Sequence, residues 1–79
     1  MNESKQSTQA QLTDVVWMWN RVANDDRAVK AEVLLKGESC VVAIEAESGV
    51  GVEKSGDRKD WAALMLRAAK EWFTIKPLA

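Results

Sequence analysis

Outward from Gly37-Glu38 the chain reads as a mirror. With those two residues as a Gly-X turn, Leu35 falls opposite Cys40, Val33 opposite Val42, Ala31 opposite Ile44 and Val29 opposite Ala46, so one face of the hairpin is wholly apolar. The other face pairs Lys36 with Ser39, Leu34 with Val41, Glu32 with Ala43 and Lys30 with Glu45, the last an opposite-charge pair. A slip of one residue would turn every apolar side chain to the wrong side, so the pattern predicts the register as well as the strands. A third strand, Val50 to Lys54, joins through Glu47-Ser48-Gly49, whose glycine takes the left-handed position of a three-residue loop. Val50 and Val52 then extend the apolar face, whereas a tighter turn at Ser48-Gly49 would set Glu53 against Ile44. Ser55-Gly56-Asp57 reads as the end of that strand.

A helix is predicted on each side of this meander. From Gln9 to Ala23, the residues Leu12, Val15, Val16, Trp19, Val22 and Ala23 recur at helical spacing, Ser7 or Thr8 is placed to cap the start, and Asn24-Asp25-Asp26 is turn chemistry at the end. The second helix runs from Arg58, capped by Asp57, to about Phe73. Its core stripe is Trp61, Leu64, Met65, Ala68 and Trp72, widened by Leu66, Ala69 and Phe73 toward a second packing partner. The expected fold class is α+β: a two-layer αβββα domain with a three-stranded antiparallel meander and both helices on its one apolar face. The 79 residues divide into a frayed tail at 1–8, a single domain at 9–74 and an extended tail at 75–79 that holds the sole proline.

The residues that are missing narrow the chemistry. The chain has no histidine and one cysteine, which removes the commonest general base, the commonest transition-metal ligand and any intramolecular disulfide. Cys40 lies on the inward face of the central strand and reads as a small buried hydrophobe. Asp25-Asp26, Glu45 with Glu47, and Asp57 with Asp60 are turn, solvated-strand and helix-start acids, and Gly49-Val50-Gly51 leads into a strand, outside the context of a phosphate-cradling loop. No enzyme, cofactor or metal site is expected. The formal net charge of −1 gives no bulk basic field for nucleic acid or anionic membrane. No apolar run approaches the roughly 18 residues of a membrane span and no secretory signal is legible, so a cytoplasmic protein is expected.

Two surfaces stand out as places where a protein partner, or a second copy, would dock. Trp17 lies almost opposite Leu12, Val16 and Trp19 on the first helix, between Asp14 and Arg21, and with flanking Met18 and Arg21 it is expected to contact the partner, the indole as the anchor. The second is the open sheet face, where Leu34, Val41 and Ala43 form an apolar spot ringed by Lys30, Lys36, Glu32 and Glu45. The outer stripe of Leu66 and Phe73 is read mainly as core. The expected function is a small non-enzymatic protein-interaction module, similar in size and style to the inhibitors or adaptors that phages and other mobile elements encode, acting by occluding a partner surface.

The element order and length also resemble the double-stranded RNA-binding domain, over about Gln9 to Phe73. Gly49, Gly51, Gly56, the basic pair Arg58-Lys59 and the alanines Ala62, Ala63, Ala68 and Ala69 look similar to that family's glycine-containing approach, basic helix start and alanine-rich stretch. The resemblance implies that Arg58 and Lys59 meet phosphates across a major groove, and it makes duplex RNA the alternative partner. Asp57 and Asp60 flank the pair, and Gly37-Glu38-Ser39 lacks the proline and histidine with which the family's first hairpin enters a minor groove.

Overall fold

The computed structural model describes the backbone of residues 2–75 and the side chains of residues 12–75. Helix α1 (Asn2–Ala23) leads into strands β1 (Ala28–Lys36), β2 (Ser39–Ala46) and β3 (Gly51–Asp57), a 3-10 turn at Arg58–Asp60, and helix α2 (Trp61–Thr74). The strands form one open antiparallel sheet in the order β1-β2-β3, and both helices pack on the same face, giving the expected αβββα layout. Among the described residues, no helix is long and apolar enough to cross a membrane.

The mirror about Gly37-Glu38 holds from Lys36↔Ser39 through Lys30↔Glu45. Gly37 adopts φ 57, and among the described residues no non-glycine residue has a positive φ, so the hairpin turns on a residue that reaches this conformation without strain. At the far end the pairing departs from the expected Val29↔Ala46: a bulge brings Ala28 opposite Ala46 and leaves Val29 60% exposed. The loop at Glu47–Gly49 closes as predicted, with Gly49 at φ 94 and the Ala46 amide donating to the Val50 carbonyl at 2.8 Å. Val52 lies opposite Ile44 in the core as expected, but Val50, at the strand's mouth, is 41% exposed instead of buried.

β3 does not break at Ser55-Gly56-Asp57. It stays paired to Ser39↔Asp57, with Gly56 opposite Cys40. Leu64 of α2 lies where a side chain on Gly56 would stand, its methyl carbons 3.4 Å from an ideal Cβ, so the glycine admits the helix and does not end the strand. Arg58–Asp60 then forms a 3-10 turn, and α2 begins three residues later than expected, at Trp61. Asp57 stands before that turn at φ −71, ψ 142 and makes no side-chain capping bond.

The core gathers Cys40, Val42, Ile44 and Ala46 of β2, Val52 of β3, Leu64, Ala68, Ala69 and Trp72 of α2, and Val22 of α1. Leu66 is buried and Phe73 half-buried, as expected, whereas Trp61, expected in the stripe, is 40% exposed because it opens the helix at the edge of this cluster.

α1 is seated differently from its predicted wheel. Val15 and Val22 are buried and Met18 and Trp19 pack against the core, while Leu12, Val16 and Ala23 are exposed. The helix is therefore rolled by roughly 50° toward Met18 relative to the arc the sequence suggests. It has α2 on one flank and meets the sheet chiefly along β1, and among the described residues the Leu12–Val16 side stays exposed. It also starts at Asn2, taking in positions read as a tail; Lys5, Gln6, Gln9 and Ala10 favour helix, and no Gly or Pro interrupts them. At the other end, Ile75 caps α2 in an extended conformation, and the rest of the expected extended tail, 76–79, lies outside the described residues.

Candidate interaction surfaces

Trp17 is exposed, with 59% of its surface open. It is not a loose side chain. The Arg21 guanidinium, one helical turn on, lies 4.9 Å from the Trp17 ring centre and 4.6 Å from that of Phe73 on α2, so the cation is held between two aromatic rings. Each ring offers its negative face to the same charge, which ties α1 to α2 and holds the indole up.

A recess of about 440 Å³ opens beside this stack, lined by Trp17, Asn20, Arg21, Asn24, Asp25 and Phe73. The Asn24 side-chain amide donates to the Asn20 carbonyl at 2.8 Å. The floor is set by Asp25, which the sequence offers only as a turn residue. Arg27 grips its carboxylate with three side-chain bonds, Nε to Oδ1 at 3.0 Å and to Oδ2 at 3.3 Å and an Nη to Oδ2 at 2.7 Å, and the Arg27 amide adds a fourth at 2.9 Å. The Trp72 indole N–H donates to the same carboxylate at 3.0 Å. The Arg27 bonds, aided by the Trp72 N–H, hold the Asp25 carboxyl well below the usual carboxylate range, against the opposing effect of its burial. Trp72 is 1% exposed, so Asp25 satisfies the one polar atom of the largest core side chain. The α1–β1 connection is thus pinned to α2 next to Phe73, and the Arg21 stack rests on that joint.

Met18, expected beside Trp17 as a partner contact, instead faces inward against the core, a consequence of the roll of α1. Trp17 and Arg21 alone of the expected trio stand at the surface. The signal that would have found Phe73 is its position in α2 next to Trp72, on the flank that meets α1; nothing in the sequence marks Asp25 as the clip.

On the sheet face away from the helices, Leu34 pairs with Val41, and Ala43 lies opposite Glu32 and Glu53. Leu34 is 43% exposed, while Val41 and Ala43, on the middle strand, are half-buried by their neighbours. Lys30 lies 3.2 Å from Glu32, and Glu32, Glu45 and Glu53 together hold its ammonium above its ordinary range. This surface and the Trp17 stack lie on opposite layers of the molecule.

The basic pair sits apart from both. Arg58 and Lys59 belong to the 3-10 turn that precedes α2, where a helix start was expected, and Arg58 is joined to the first hairpin: its amide donates to the Glu38 carbonyl at 2.7 Å and its guanidinium to that of Gly37 at 3.3 Å. Gly37, Glu38, Asp57, Arg58 and Lys59 line a shared recess, so an acid stands on either side of the cations there. Comparison with protein-family models, with curated proteins and with solved structures finds no match, and the resemblance to the double-stranded RNA-binding domain stands on element order alone.

Proposed function

We propose that the chain is a non-enzymatic protein-interaction module whose anchor is Trp17, presented by Arg21 and Phe73. The observation that carries this reading is the stack itself: a large aromatic, more than half exposed, is held in place by a cation shared with a second ring. A ring already ordered loses little conformational freedom on docking, and an indole buried at the centre of an interface contributes several kcal/mol. The adjoining recess, with Asn20 and Asn24 on its wall, supplies polar groups beside the apolar anchor. We read the module as a cytoplasmic adaptor or inhibitor, of the compact kind mobile elements encode, that acts by covering a surface of a larger partner or of a second copy.

Duplex RNA remains the alternative partner, and two features weigh against it: Arg58 is engaged by the Gly37 and Glu38 carbonyls, and Asp57 and Asp60 offset the field of the basic pair.

A photo-crosslinking residue placed at exposed Asn20, on the wall of the recess beside Trp17, tests the reading against the same residue placed at exposed Lys70. A discrete conjugate in a host extract from the first position alone, lost with Arg21→Ala, is the expected result. Equal labelling from both positions overturns it.

A further inference from the structure

β1 is an edge strand, and its half nearest Gly37 is open on three sides. Among the described residues no strand lies beyond it, Leu35 on the helix-side face is 49% exposed, and Leu34 on the other face is 43% exposed. Exposed edges of this kind are usually blunted by proline, by a bulge or by an inward-pointing charge. The bulge at Val29 protects only the far end; from Ala31 to Lys36 the edge has no proline and carries the charged side chains of Glu32 and Lys36, which oppose strand addition unless the incoming strand matches them.

The pairing that closes the hairpin decides what the edge offers. Lys36 and Ser39 flank a two-residue turn and form its hydrogen-bonded pair, so, by alternation, Ala31, Val33 and Leu35 direct their free N–H and C=O groups outward. An incoming antiparallel strand must bond to those three residues.

We propose that a second copy of this chain supplies that strand, β1 against β1, about a two-fold axis at Leu34. In this register Leu34 meets Leu34 of the second copy, Val33 meets Leu35, Glu32 meets Lys36 and Lys30 comes opposite Glu38. Every charged residue of the segment thus faces its opposite, twice over by symmetry, and the exposed leucines are covered. Neighbouring registers lack this match. An axis at Glu32 sets two glutamates together, one at Val33 opposes Lys30 and Lys36, and one at Leu35 opposes Glu32 and Glu38. An axis at Ala31 would require the bulged Val29 to pair. The product is a continuous six-stranded sheet, and its interface is separate from the Trp17 stack, so it does not rest on the function proposed above.

Sedimentation of wild type and charge variants over a range of protein concentration tests this, with circular dichroism as the check on folding. Lys36→Glu and Glu32→Lys each place like charges across the axis and weaken the dimer by about tenfold or more; the two substitutions together restore it. Leu34→Cys, at a non-hydrogen-bonded pair on the axis, forms an intermolecular disulfide under mild oxidation, while buried Cys40 takes no part. Lys70→Ala, an exposed change on α2, leaves the dimer unchanged. A wild type that is monomeric throughout, a dimer indifferent to the charge reversals, or one abolished by Trp17→Ala each overturns the proposal, the last by moving the interface to the helical layer.

Discussion

The inward rows of β1 and β2 were written with the same alternation and ended in different surroundings. Cys40, Val42, Ile44 and Ala46 on β2 are at most 6% exposed, whereas on β1 Val33 is half-buried, Ala31 is exposed and Leu35 is 49% exposed. The difference lies above the sheet. α2 lies across β2 and β3 and buries Leu64, Ala68, Ala69 and Trp72 there, while α1 leans on α2 and meets the sheet chiefly along β1. Alternation therefore states which way a side chain points, and only the helix above it states whether that side is dry. The dry half carries the stability, and the wet half carries both candidate docking features, Trp17 and the β1 edge.

The comparison breaks most visibly at Trp72. Trp72→Ala removes the largest fully buried side chain and should cost about 3–5 kcal/mol in urea unfolding, against less than about 1 kcal/mol for Trp17→Ala. A comparable loss at Trp17 would mean that the stack with Arg21 and Phe73 belongs to the core. The same contrast within the sheet is Ile44→Ala against Leu35→Ala. We expect a loss of about 2–5 kcal/mol for the first and under about 1 kcal/mol for the second, measured in the same way at a concentration where the chain is monomeric.

Between the two halves stands Asp25. Asp25→Ala leaves the Trp72 indole N–H buried without its acceptor and releases Arg27, and should cost about 2–3 kcal/mol at neutral pH. Because the folded protein holds this carboxyl below its ordinary range, its contribution is complete above the unfolded carboxylate value and is lost as pH falls through the lower, folded one. The gap between wild type and Asp25→Ala, followed by urea unfolding, should accordingly narrow as the solution becomes strongly acidic. A gap constant with pH would assign the loss to packing alone. The smallest effect expected is that of Glu71→Gln, which removes the partner of Lys54 at a half-exposed surface and should change stability by no more than about 1 kcal/mol in the same assay.

Much of the fold was legible because a two-residue turn leaves no freedom: once Gly37-Glu38 is taken as the corner, every pair from Lys36–Ser39 to Lys30–Glu45 follows. The Glu47–Gly49 loop, buried Cys40 and outward Trp17 were legible for the same reason, namely that each depends on periodicity within a few residues. The misreadings have a common form. Gly56 was taken as a strand breaker, yet it is a vacancy for Leu64, a residue eight positions on. Trp61, Val50, Leu12 and Val16 were assigned to the core by their apolarity, but each lies at the end or flank of its element and is left exposed. Of the site, Trp17 and Arg21 were readable from the wheel of α1; Phe73 as the second ring and Asp25 as the clip were not, since both roles exist only where α2 passes the end of α1.

By itself the sequence determined the order of elements, the strand register and the face to which most side chains belong, because these follow from local geometry repeated every two or 3.6 residues. Tertiary structure alone decided how far α1 rolls, which apolar residues are roofed and which remain at the surface, and that Asp25 serves Trp72. Those outcomes depend on contact between elements distant along the chain, where packing and hydrogen-bond satisfaction, not propensity, set the arrangement.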